Sequence, residues 1–68
     1  MKTLDVVALT HDLPEKGLKR GQVGTLVEAL GNGIFEVEFA DLSGRSYAFA
    51  ALPEQDLLEL KHEPALAA

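Results

Sequence analysis

Hydrophobic and polar positions along this chain follow the two-residue period of a β-strand, and no stretch holds the period of a helix. The clearest run is Ile34-Phe35-Glu36-Val37-Glu38-Phe39. Phe35, Val37 and Phe39 face one way and Glu36 and Glu38 the other, because successive strand side chains point to opposite faces. The first set is expected in the core and the acids toward solvent. Four other segments read as strands: Val6 to Leu9, Val23 to Leu30, Ser46 to Leu52 and Leu57 to Leu60. In Ser46 to Leu52 the alternation puts Tyr47 and Phe49 on one face and Ala48 and Ala50 on the other. The alanine face is where a second layer or a partner can approach closely.

The segments between the strands carry turn chemistry. Asn32-Gly33 is a two-residue hairpin signal, since both residue types tolerate positive φ. Asp41 to Arg45 reads as a bulged hairpin with Gly44 in the left-handed position, and Gly21 closes the turn into the second strand. Gly24, inside that strand, implies a bulge or a close backbone approach. Thr10 to Gly21 is a long polar loop broken by Pro14 and Gly17, with Leu13 and Leu18 tucked beneath it as a cap on the core. Pro53 to Asp56 suits a single 3-10 turn. Together these elements predict an all-β fold: a small five-stranded SH3-like barrel with a long first loop and a short 3-10 turn before the last strand. Residues 1–60 form the barrel and 61–68 a flexible C-terminal tail.

The chain has 68 residues, enough for one domain with a small core; a chain this short buries only about 60% of its unfolded surface. There is no cysteine, so neither a disulfide nor a thiolate metal site is available. Met1 to Asp5 lacks the apolar stretch of a signal peptide, and no apolar run approaches the roughly 18 residues of a membrane span. These features set the expectation of a cytoplasmic protein. Eleven acids against six bases give a net charge of −5, which disfavours nonspecific nucleic-acid binding and suits attraction to a basic partner.

No catalytic constellation emerges. His11 and His62 have no serine or cysteine nucleophile in a recognisable arrangement, and sequence neighbours such as His11 and Asp12 do not normally face each other. Gly17, Gly21 and Gly24 lack the Gly-Lys-Ser/Thr ending and the following helix of a phosphate loop. No metal and no cofactor is expected, and the chain reads as a non-enzyme. Two charged groups remain as candidate partner-binding residues. Lys16, Lys19 and Arg20 hold half of the bases in the first loop, with no aromatic interleaved, so a solvated loop is preferred to a nucleic-acid site. Glu28, Glu36 and Glu38 fall on the two strands of the Asn-Gly hairpin. They serve either as a solvated outer face or as an acidic surface meeting a basic partner, at a cost in like-charge repulsion.

Asp5-Val6-Val7-Ala8-Leu9, Asp12 to Thr25 and Phe35-Glu36-Val37-Glu38-Phe39 closely resemble small bacterial proteins of unknown function, some labelled PemI-like, that is, antitoxin-like. The resemblance covers about residues 3 to 60. It implies an SH3-like barrel and a partner role in a toxin–antitoxin pair, and it carries over no functional residue. The familiar antitoxin plan includes a separate DNA-binding segment, of which this sequence shows no obvious counterpart, so repression of its own operon is not expected. Arg20-Gly21-Gln22-Val23-Gly24-Thr25-Leu26 is similar, over one turn and one strand, to the barrel of the nitrile hydratase β-subunit and its accessory proteins. A further likeness is to the KOW-type barrel of ribosomal proteins. The expected function is therefore a non-catalytic protein-binding module, an antitoxin-like partner that masks a basic toxin encoded nearby. The alternatives are an accessory domain related to nitrile hydratase, a weak RNA- or ribosome-associated barrel, and a homodimer through an edge strand. The final Ala65-Leu66-Ala67-Ala68 resembles the Leu-Ala-Ala end of a bacterial degradation tag and is read either as such a tag or as a fraying terminus.

Overall fold

A computed structural model describes residues 1–61; the tail signal at Ala65 to Ala68, and His62, lie outside the described residues. Five strands form one antiparallel sheet in the order β4-β3-β2-β1-β5. They are β1 (Val6–Leu9), β2 (Val23–Gly31), β3 (Ile34–Ala40), β4 (Ser46–Pro53) and β5 (Leu57–Glu59). The order is that of the expected SH3-like barrel, and the sheet curls without closing, because no described strand pair joins β4 to β5. All five strands fall within a residue or so of the expected spans.

One apolar cluster fills the concave side. It takes Val7 and Leu9 from β1, Leu26 from β2, Phe35, Val37 and Phe39 from β3, Ala50 and Leu52 from β4, and Leu57 from β5. Leu13 and Leu18 complete it from the first loop, as their apolar character predicts. They do so through a short bridge: the Leu13 N–H donates to the Leu18 carbonyl at 2.8 Å and the Leu18 N–H returns the bond at 3.1 Å. Between them Pro14–Lys16 forms a 3-10 turn that the loop reading did not anticipate, closed by Gly17 at φ 69°. A buried pair of leucines thereby has its backbone groups satisfied inside the loop itself.

The face assignment of β4 corrects the sequence reading. The alternation is as expected, but the alanines meet the core and not a second layer or a partner. Ala50 is buried, Ala48 packs against the core, and Tyr47 and Phe49 stand exposed. The physical reason lies in the register with β3. Phe39 is opposite Ala48 and Val37 opposite Ala50, so the large residues of β3 already fill the space and the partner strand contributes small ones.

Two turns match their residues. Asn32 (φ 56°) and Gly33 (φ 74°) both take positive φ, the conformation of a tight hairpin turn. In the second hairpin the Asp41 carboxylate accepts from the Ser43 hydroxyl at 2.7 Å and from the Ser43 and Arg45 N–H groups at 3.0 Å each. The Ser43 hydroxyl bond, followed by the Arg45 N–H bond, holds the Asp41 carboxyl below its ordinary pKa.

Gly24 is a site of close approach. A Cβ at this position would lie 2.7 Å from Val37 Cγ1, 2.9 Å from the Glu38 carbonyl oxygen and 3.0 Å from Phe39 Cδ1. The second contact is backbone of the neighbouring strand, which cannot swing aside. Gly24→Ala is therefore expected to cost about 1–3 kcal/mol through overpacking. Urea unfolding checks this: the midpoint should fall with the slope unchanged. An unchanged midpoint would show that β2 and β3 separate at no cost.

Candidate partner-binding face

The convex face of the sheet is built by register. Glu28 of β2 lies directly opposite Glu36 of β3, and Thr25 lies opposite Glu38. On the other side of β3, Glu36 pairs with Ala51 and Glu38 with Phe49. Directly opposed residues of an antiparallel pair share a face, so the three glutamates stand together on the outer surface, as their spacing implies. The ladder would not produce this without help. An unbroken register from the Gly31–Ile34 pair would set Glu28 opposite Val37, on the core side. An irregularity between Ala29 and Gly31 shifts the pairing and turns Glu28 outward, and a second one between Leu26 and Glu28 restores Leu26 to the core opposite Val37.

The acidic face carries no internal counter-charge. Among the described residues, the single acid–base contact within 4.0 Å is His11 with Asp56, so no cation pairs with Glu28, Glu36 or Glu38. Glu38 instead accepts a hydrogen bond from the Ser46 hydroxyl. Lys16, Lys19 and Arg20 are all exposed on the first loop, with Lys16 at the end of the 3-10 turn. The Arg20 backbone N–H, not its guanidinium, is tied down, donating to Asp12 Oδ1 at 2.8 Å. The three acids thus share one face, and none of the three bases forms an ion pair with them. Gln22, between the first loop and β2, reaches the outer surface, where its Nε2 donates to the Tyr47 hydroxyl at 3.0 Å.

Apolar groups border the acids on one side. Tyr47 is 49% and Phe49 52% exposed, and they stand on β4, which among the described strands pairs with β3 alone. The alternation of β4 was legible in the sequence; which of its faces is wet was not.

His11 has a role that its sequence neighbours do not suggest. Its Nε2 lies 2.7 Å from Asp56 Oδ1 and its Nδ1 3.1 Å from the Asp12 carbonyl oxygen. Both ring nitrogens face acceptors, an arrangement that the doubly protonated ring satisfies fully. The Asp56 hydrogen bond, then the Asp12 carbonyl, then the Asp56 charge raise the His11 pKa above its ordinary 6.5. The Thr10 N–H donates to the Asp56 carbonyl at 3.0 Å beside it, so the pair clasps the first loop to the turn Glu54–Asp56. A raised folded-state pKa contributes stability that is complete below the unfolded pKa and is lost as pH rises through the folded one. Thermal stability of the native chain is expected to decline slightly as pH rises from 6 through that raised pKa. His11→Gln should remove that dependence, as thermal unfolding across the series will show. A His11 ring titrating at or below 6.5 by NMR would contradict the clasp.

No group of three His, Cys, Asp or Glu among the described residues is placed to hold a metal ion. No helix among them is long and apolar enough to cross a membrane. Fold and surface together define a class: a small all-β, barrel-like domain with a loop-capped core and an acidic convex face. Residues 3–59 match the family described as Domain of unknown function (DUF4926), and the chain belongs to it. That description assigns neither an activity nor a partner. No curated protein and no solved structure matches the chain.

Proposed function

We propose that this chain is a non-catalytic protein-binding module, most concretely an antitoxin-like partner that masks a toxin. The observation that carries the reading is the acidic row Glu28–Glu36–Glu38, shared by one face and lacking a cation within 4.0 Å among the described residues. Opposed like charges destabilise a sheet by tenths of a kcal/mol, on the order of 0.2–1 per pair, and a basic partner relieves that repulsion on binding. The resemblance to PemI-like proteins supports the same direction. In the proposed mechanism the acidic face and the adjoining first loop lie over a basic active cleft and occlude it. Attraction between opposite fields speeds the encounter and weakens with salt.

The test is co-expression with the protein encoded beside it, followed by size exclusion at low and moderate salt. Co-elution, with suppression of an RNA-cleaving activity in the partner, is the expected result. Separate elution at both salts overturns the reading. Salt-sensitive retention of RNA through Lys16, Lys19 and Arg20, with no protein, would replace it with an RNA-associated barrel. A neighbour with hydratase activity would replace it with an accessory domain.

A further inference from the structure

Among the described residues β4 is an edge strand of the sheet. Ser46-Tyr47-Ala48-Phe49-Ala50-Ala51-Leu52-Pro53 contains no charged residue; strand addition is resisted only at its two ends, by an irregularity at Tyr47 and by the terminal proline. One side of this eight-residue strand pairs with β3. The other side offers alternate N–H and C=O groups to any extended chain. Tyr47 and Phe49 stand half exposed directly along that edge. Natural sheets usually protect such an edge with lysine, a bulge or a covering loop; past the irregularity at Tyr47, Ala48 to Leu52 carries no lysine and no described strand covers it.

The neighbouring strand states which chain it suits. From a new strand on β4, the first outward residues met are Phe49 and Ala51, and behind them lie Glu38 and Glu36 respectively. Strands are spaced about 4.8 Å apart, so the glutamates stand roughly 9.6 Å from the added strand. Ala51 is small and exposed, leaving the line from the added strand to Glu36 open. A long cationic side chain opposite Ala51 leans over it and meets Glu36, with Glu28 directly beyond. Opposite Phe49, the ring blocks that path and offers an apolar or cation–π contact. A second copy of this chain supplies none of these cations from its own β4, which is uncharged, and adds another acidic surface.

We infer that the β4 edge is a strand-addition site for an extended basic segment of a partner protein, read by Tyr47, Phe49, Ala51 and the glutamates Glu36 and Glu28. This rests on the module reading and names where and how the partner is held: by β-augmentation, with backbone hydrogen bonds supplying affinity and alternate side chains specificity.

The experiment titrates the intact chain with a short capped peptide alternating arginine with valine, followed by backbone amide shifts. Controls are the same peptide with glutamate for arginine and one N-methylated on alternate amides. Shifts confined to Ser46–Pro53 and the facing outer residues are expected. The glutamate and N-methylated peptides should fail to bind. Phe49→Ala, and separately the double variant Glu28→Gln with Glu36→Gln, should each weaken binding about tenfold while the spectrum stays that of the folded chain. Shifts confined to β5 or the first loop, equal binding of the glutamate peptide, or no binding overturn the inference. So does a concentration-dependent dimer that protects the β4 amides and excludes the peptide. The two readings separate cleanly. A native partner retained equally by the Phe49→Ala and double variants overturns the edge site and leaves the module. Peptide binding at β4 with no partner on co-expression overturns the antitoxin reading and leaves the edge site.

Discussion

Phe39→Ala is expected to lose about 3–5 kcal/mol, the range for truncating a fully buried aromatic. The Phe39 side chain is 0% exposed and is the largest of the completely buried ones. It sits where three strands meet: opposite Gly24 on β2 and opposite Ala48 on β4. Both partners are small because the ring occupies their share of the space. Truncating it leaves a void that neither glycine nor alanine can fill, so the cavity term is not relieved by local collapse. A domain of this length holds on the order of 3–10 kcal/mol in all. The variant should therefore be mostly unfolded or close to it, as amide dispersion and urea titration will read. A folded spectrum with a midpoint near that of the native chain would mean that the concave side is not close-packed.

Leu18→Ala is expected to cost about 2–5 kcal/mol, although Leu18 belongs to no strand. It is 2% exposed and sits in the core cluster with Leu13. Leu42, another leucine outside the strands, supplies the contrast: it is fully exposed, and Leu42→Ala should stay within about 0.5 kcal/mol. Two substitutions of the same chemistry, both outside the strands, thus test whether the first loop is part of the core. Equal midpoints for the two variants would show that the Leu13–Leu18 bridge stands free of the barrel.

These residues also show what the sequence discloses. Phe35, Val37 and Phe39 announce their face because glutamates separate them, and Asn32-Gly33 announces its turn because few residue pairs tolerate its backbone. Leu13 and Leu18 are apolar residues in a polar loop, so their burial is legible too. The orientation of β4 is not. Aromatics alternating with alanines look the same whichever face is wet, and the answer lies in the bulk of β3 across the register. The shared face of the glutamates was legible from the hairpin, but its cause was not. It depends on two ladder irregularities flanking Glu28, which only the register displays. The clasp between His11 and Asp56 joins positions far apart in the chain and leaves no local pattern at all.

The pairing of β1 with β5 has a consequence for the order of folding. β2, β3 and β4 are joined by short turns, so their ladders form at small loop-closure cost. β1 reaches its second partner only by bringing Leu9 beside Leu57 and Val7 beside Glu59, contacts between distant parts of the chain. Such contacts must be assembled before they are rewarded, and they slow folding. On a chain emerging from the ribosome, the meander of β2, β3 and β4 can therefore condense while β1 still lacks one neighbour. The sheet is completed only when Leu57–Glu59 arrives, which makes the last described strand the latch on the first.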